Sequence, residues 1–336
     1  LQEWLPVANI DEDFVQVATV RTGVPAEGGE SPHRALPGPR RKMHRDTVPI
    51  RALATPSVVV LGLIGAYPLV YAVWQSLRNG SLTSSGSFVG LANYSAVLSS
   101  SNFWSCFKFT VIFTLAAVIG SYVVGLALAL AFQAGFPGAG IVKPLLLLPW
   151  VVPVVVSMTS WGWLIGTPQG LGDQVTHALG LGDVGFLATP TLAIISVCTV
   201  KIWESFPFMF LVLSAGLDTV DPALYEAARV DGASWWSSVR HISLPMLRTI
   251  SVMSWILMAI FSVNDFSTIW LLTGGGPLGA TQSLVVYSYQ LVFQEFQTGQ
   301  GVAVAIFTTL ATALLAIVLF RFINAASTRR RRVAAQ

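Results

Sequence analysis

Six long apolar runs divide this chain, each set off from the next by a shorter polar stretch. A helix needs about 20 mostly apolar residues to cross a bilayer. The runs Leu53–Leu77, Phe109–Gln133, Val142–Ile165, Thr191–Ala215, Ile250–Thr273 and Val302–Ile323 all meet that length. The pattern predicts an all-α integral membrane protein with six transmembrane helices. Gly65, Pro68, Gly120, Gly125, Pro153 and Pro207 fall inside the runs. Membrane helices accept such residues because neighbouring helices satisfy the backbone groups they free. Pro149 and Pro153 are expected to break or bend the third span.

The polar stretches are of different kinds. Residues 1–50 contain no continuous apolar run and are rich in Pro, Gly and charge. A disordered tail is expected there, and not a signal peptide, which needs an apolar core. The chain begins with Leu1 and its first methionine is Met43. Translation from Met43 is therefore expected, with residues 1–42 dispensable; the intact mass of native protein checks this. Residues 51–325 hold the six spans, and residues 326–336 form a basic C-terminal tail. Thr281–Gln297 mixes Leu284, Val285, Tyr287, Tyr289, Leu291, Val292 and Phe296 with polar residues. It reads as an amphipathic helix at the outer surface, there either to receive a partner or only to pack.

Residues 218–245 lie between the fourth and fifth spans. Asp221 followed by Pro222 is a helix start: an acceptor at the N-cap, then a residue whose missing N–H is no loss. Leu224, Ala227 and Ala228 share a face, while Glu226 and Arg229 project elsewhere. Asp231-Gly232 supplies a stop and turn. A second short helix fits Ser234–His241, and Leu244-Pro245 then leads into the fifth span. Small residues at Ala227, Ala228, Gly232 and Ala233 allow another protein to approach closely. The residues alone allow either a docking surface or a self-packed connector.

Composition agrees with the spans. The chain of 336 residues is 54% hydrophobic and 10% charged, where soluble domains carry roughly 25% charged residues. Its mean hydropathy is +0.67. A formal charge of +3 is read as basic residues at a cytoplasmic membrane face, not as a nucleic-acid surface. Arg40, Arg41, Lys42, Arg45 and Arg51 precede the first span, and Lys143 opens the third. Arg229, Arg240 and Arg248 separate the fourth from the fifth, and Arg329 to Arg332 follow the sixth. Six crossings put all of them on one side, against Arg78 and Lys108 on the other. Both termini and the Asp221–Pro245 loop are therefore expected in the cytoplasm. Cys106 and Cys198 form neither a disulfide framework nor a metal site. His33, His44, His177 and His241 are scattered, and no lysine sits in a phosphate-binding G-x-x-x-x-G-K-[ST] pattern. The chain is expected to bind no metal or ATP and to catalyse nothing itself.

Charges inside spans are costly and normally face a cavity or a partner. Lys201 and Glu204 occupy the fourth span, Asn264 and Asp265 the fifth. Lys201 lies near mid-membrane, and Glu204 at i+3 shares its face. They line a polar path for a hydroxylated solute, or else neutralise each other against a partner subunit. Asn264 and Asp265 have the chemistry to bind sugar hydroxyls, or to hold helices together. Trp203 and Trp270 offer faces on which a sugar ring could stack, while Trp161 and Trp163 suit an interfacial aromatic belt.

Glu226-Ala227-Ala228, Asp231-Gly232-Ala233, Ile242 and Leu244-Pro245 resemble the EAA loop of ABC importer permeases. Tyr67-Pro68, Phe88-Val89-Gly90-Leu91 with Asn93-Tyr94, and Thr273-Gly274-Gly275-Gly276-Pro277 also resemble segments of the carbohydrate-uptake branch, on the side of the maltose-type first permease subunit. The resemblance covers the chain from about Leu53 onward. It implies a type I ABC importer permease architecture in the bacterial plasma (inner) membrane, importing a disaccharide, oligosaccharide or glycerol-phosphate type solute. It implies a second homologous permease, two cytoplasmic ATPase subunits that bind ATP and Mg, and an extracytoplasmic solute-binding protein. Glu226 would anchor the loop in an ATPase cleft, Gly232 would shape its turn and Asp231 would brace it. Gly274, Gly275, Gly276 and Pro277 would form a flexible loop that meets the binding protein. The competing readings are an ion-coupled secondary transporter working through Asp265, Lys201 and Glu204, and a membrane scaffold. An ion-coupled carrier has no need of an ATPase dock.

Overall fold

The computed structural model describes residues 50–333 except 85, 136–137, 167–169 and 183. The expectations for residues 1–49 lie outside these. The chain divides into two units, Leu1–Pro56 and Ser57–Gln336. The second holds every described helix apart from the opening turns of the first.

Helix α1 (Ile50–Ser76) is followed by the short α2 (Ala92–Ser99) and the long α3 (Ser101–Gln133). Next come α4 (Ala139–Leu146), α5 (Leu148–Val151), α6 (Val154–Ile165) and α7 (Leu171–Ala178). Then α8 (Pro190–Asp218) leads to α9 (Pro222–Val230) and α10 (Trp235–Ser238). A π-helical turn, Val239–Ser243, joins α10 to α11 (Leu244–Val263). The series ends with α12 (Ser267–Thr273), α13 (Leu284–Phe293) and α14 (Thr298–Val333). The described residues form helices and one isolated bridge, Arg78 to Phe88.

Among the described residues, five helical stretches are long and apolar enough to cross a membrane, and a sixth crossing exists if the pair Ala139–Val151 and Val154–Ile165 counts as one. That pair bends by 90°. The bend falls at Val152-Pro153, where Pro153 has no N–H to give and clashes with a continued helix. The fifth span differs from its expected form. It is not one helix from Ile250 to Thr273: α11 stops at Val263 and α12 starts at Ser267. The expected helix over Thr281–Gln297 is the shorter α13, whose Leu284, Val286, Tyr287, Leu291 and Val292 are buried.

The bundle core has three apolar clusters. Phe109, Phe113, Met158, Val197 and Ile269 form one, and Leu130, Met209, Phe210, Leu213 and Leu247 another. The third joins Phe103, Cys106, Leu284, Tyr287 and Val304, so α13 packs inside the fold. The most extensive helix pairing is α3 with α8. Gly125 permits it: a Cβ there would lie 2.7 Å from Met209 Cβ and 2.8 Å from the Phe210 backbone nitrogen. Backbone cannot retreat as a side-chain tip can, so this is a small-residue helix crossing. Gly125→Val is expected to destabilise the protein by about 1–3 kcal/mol, as overpacking does. A lowered melting temperature in detergent checks it.

The first span has none of its apolar window buried within the chain; Leu61, Tyr67 and Val70 are examples. Lipid or another subunit would cover such a surface. Its far end is fixed by the segment after it. Asn93 Nδ2 donates to the Ser76 and Arg78 carbonyls, each at 2.8 Å. Tyr94 Oη meets Ser76 Oγ at 2.7 Å. Asn93 thus satisfies carbonyls that the end of a helix leaves unpaired.

Candidate functional site

The polar loop after α8 has the two-helix form its sequence predicts. Asp221 accepts a hydrogen bond from the Ala223 N–H at 2.9 Å and Pro222 opens α9. At its other end, the Gly232 N–H reaches the Arg229 carbonyl at 3.1 Å and the Ala233 N–H reaches Ala228 at 2.9 Å. With Gly232 at φ +77°, this pair of bonds is a Schellman closure, which requires a left-handed residue. The turn is closed by backbone bonds, and among the described residues the Asp231 side chain adds no hydrogen bond to it. Ser234 then caps α10 by accepting from the Ser237 N–H at 3.2 Å.

The second helix does not end at His241. From Trp235 the chain remains helical through the π turn to Val263. Pro245 would ordinarily clash with the carbonyl four residues back. The wider π turn just before it gives the ring room and lets the helix continue. Sequence reading missed a further tie: Tyr225 Oη meets the buried Ser243 Oγ at 3.0 Å. This bond fastens α9 to the π turn.

Glu226, Ala227 and Gly232 are exposed, and Ala228 and Ala233 partly so. Around them stand exposed apolar groups: Val230 (87%), Trp236 (66%), Trp235 (57%) and Leu224 (45%). Leu244 is exposed and Pro245 half-buried. A cavity of about 540 Å³ separates the loop from the ends of α3 and α8, with Gln133, Asp218, Tyr225, Glu226 and Arg229 among its lining. The loop is therefore a braced, partly apolar platform with a carboxylate and small residues on its surface.

A second constellation lies within the spans. Lys201 Nζ is 2.6 Å from Asp265 Oδ2 and 3.1 Å from Glu204 Oε2. Asp265 sits in the break between α11 and α12. Its Oδ1 accepts the Thr268 N–H at 3.0 Å and its Oδ2 meets Thr268 Oγ1 at 2.7 Å. The Lys201–Glu204 contact follows from i+3 spacing. Asp265, 64 positions beyond Lys201, joins them only through the fold. It does not pair with Asn264 as a hydroxyl clamp: Asn264 Nδ2 turns back to the Ile260 carbonyl at 2.8 Å. Thr268 was not foreseen, although an acidic residue three before a threonine at a helix start is a capping signal.

Aromatic rings flank this cluster. Trp203 meets Trp161 edge-on at 5.4 Å, and Trp161 packs against the core cluster around Phe113. Trp163 is 74% exposed. Trp270 stacks on Phe266 at 5.3 Å, and Tyr289 closes on both rings.

The glycine loop after α12 is held, not flexible as expected. Thr281 Oγ1 lies 2.6 Å from the Gly276 carbonyl and 2.7 Å from Thr273 Oγ1. Gln290 Nε2 donates to Gly274 O at 3.3 Å, and Gln282 Nε2 donates to Gln290 Oε1. Gly274 and Gly275 take the positive φ values the loop needs. Pro277 follows, and Leu278 stands 97% exposed beyond it. Among the described residues, no group of three or more His, Cys, Asp or Glu could hold a metal ion.

The family described as binding-protein-dependent transport system inner membrane component matches residues 121–332. The chain belongs to that family. This transport component is 33% identical over 267 residues to the trehalose/maltose transport system permease protein MalF of Thermococcus litoralis, covering 79% of this chain and 90% of that one. It is 30% identical to the trehalose transport system permease protein SugA of Mycobacterium tuberculosis, over 82% and 88% of the two chains. Its fold is shared by a chain of a bacterial ABC transporter involved in alginate import, with a TM-score of 0.71, 22% identity, and 83% and 95% coverage. The family match takes in both the α9–α10 platform and the Lys201–Asp265 cluster. This inner membrane component is thus a multi-pass permease.

Proposed function

We propose that this permease is one of two homologous membrane subunits of an ATP-driven sugar importer, and that α9–α10 is where an ATPase grips it. The observation that carries this reading is the α9–α10 platform: capped at both helix starts, tied to the π turn by Tyr225, yet exposed at Glu226 and Gly232. Two cytoplasmic ATPase subunits would bind ATP and Mg, and an extracytoplasmic binding protein would deliver solute near Gly274, Gly275, Gly276 and Pro277. The basic clusters support a cytoplasmic side for both termini and α9–α10 in a plasma membrane. The sugar class rests on the trehalose and maltose systems to which the chain is similar. The solute path runs by Lys201, Glu204, Asp265, Asn264, Trp203 and Trp270. Nothing favours an ion-coupled carrier, since the family and the relatives are those of binding-protein-dependent transport systems.

Glu226→Ala tests the platform. Glu226 is exposed, so the change should leave folding and insertion intact. Solute uptake by the reconstituted complex is expected to fall while ATP hydrolysis continues or the ATPases dissociate. Unchanged uptake, with hydrolysis still stimulated by solute, would overturn the coupling role.

A further inference from the structure

The geometry points to Glu204 as the residue that sets the charge preference of the path, favouring neutral or cationic solutes over anionic ones. This rests on the permease reading above and narrows its substrate class. Three charged groups meet at the break in the fifth span, one cation and two carboxylates. They carry one formal negative charge in excess.

The two carboxylates are not equivalent. Asp265 holds Lys201 at the shorter distance, 2.6 Å against 3.1 Å for Glu204. Both oxygens of Asp265 are committed, Oδ1 to the Thr268 N–H and Oδ2 to Lys201 and Thr268 Oγ1. Its side chain is 9% exposed. Lys201 and Asp265 thus form a closed brace between α8 and the start of α12. Glu204 directs a single oxygen, Oε2, at both Lys201 and Thr268. Its Oε1 makes no hydrogen bond to a described residue, and its side chain is twice as exposed, at 18%. The charge that Lys201 does not balance therefore rests on the carboxylate with an unused acceptor. Trp203, the preceding residue on α8, is half-buried. A free carboxylate oxygen suits a hydroxyl-bearing solute, because it accepts from hydroxyls. The same oxygen repels a carboxylate, sulfonate or phosphate, and does so strongly where water is scarce. Of the solute types open to the sequence, this disfavours the glycerol-phosphate type.

The test uses the complete transporter in proteoliposomes. A cysteine at the exposed Asn264, next to the cluster, reports the local potential. Its reaction rates with cationic and anionic methanethiosulfonates are each normalised to the neutral methyl reagent, which controls for access and folding. The native Cys106 and Cys198 are buried, and their background is measured without Asn264→Cys. Adding Glu204→Gln to Asn264→Cys is expected to lower the cationic-to-anionic rate ratio by at least about fivefold, as loss of one nearby charge requires. Glu204→Gln leaves the Lys201–Asp265 brace in place. An unchanged ratio at a reactive cysteine overturns the role of Glu204 while leaving the path reading intact. A cysteine that resists even the neutral reagent in both backgrounds overturns the path reading at this break, and the assignment with it.

Discussion

Lys201→Met is expected to prevent the protein from accumulating in folded form. The change leaves Asp265 and Glu204 facing each other with no cation between them, both largely buried. Removing one partner from a buried ion pair typically destabilises by about 3–5 kcal/mol, because the remaining charge is stranded. That is a large part of the stability of most domains. Asp265→Asn should be milder. It removes one negative charge and keeps Lys201 paired with Glu204 at 3.1 Å, but it turns an amide NH2 toward either Lys201 or the Thr268 N–H. The order of effects is the informative result. Size-exclusion profiles and melting of detergent-purified protein would show Lys201→Met aggregated or strongly shifted and Asp265→Asn shifted less. Equal behaviour of the two would mean that the cluster contributes little through charge.

Gly232→Pro is expected to separate ATP hydrolysis from transport without harming the membrane domain. Proline holds φ near −65°, whereas this position requires +77°. It also removes the N–H that reaches the Arg229 carbonyl. The α9–α10 turn then has to open, moving Glu226 away from the residues beyond it. The spans should tolerate this, because nothing lies within 4 Å of a Cβ at Gly232. Uptake is expected to drop at least about tenfold, since a loss of only about 1.4 kcal/mol already weakens the docking constant by that factor. Gly232→Ala, strained by about 1–2 kcal/mol in a left-handed conformation, should fall in between. Uptake and hydrolysis in proteoliposomes, with protease protection as the check on insertion, provide the readout.

What could be read in advance were features with local causes. Apolar length located the spans. Asp221 before Pro222, and Gly232 after an apolar-faced turn, announced the ends of α9 because caps depend on a few neighbouring residues. The break at Asn264–Phe266 carried neither glycine nor proline, and its cause is distant: Lys201 draws Asp265 out of the helix to serve as ion partner and cap together. Nor could periodicity bring Gln290 to the Gly274 carbonyl, so the glycine run read as slack when it is propped from beneath. The unbroken passage from Trp235 into α11 was hidden because Leu244-Pro245 looks like a boundary. A π turn that admits proline has no composition signal of its own.

That passage has a mechanical consequence. The stretch from Trp235 to Val263 is 29 residues of continuous helix, roughly 43 Å at 1.5 Å per residue. One end lies in the exposed platform and the other abuts the residue that holds Lys201. A rod of that length turned by about 5° at one end carries its far end by nearly 4 Å, more than enough to part an ion pair closed at 2.6 Å. A small tilt outside the membrane is thereby amplified into a shift at its middle, to the extent that the π turn before Pro245 transmits it stiffly.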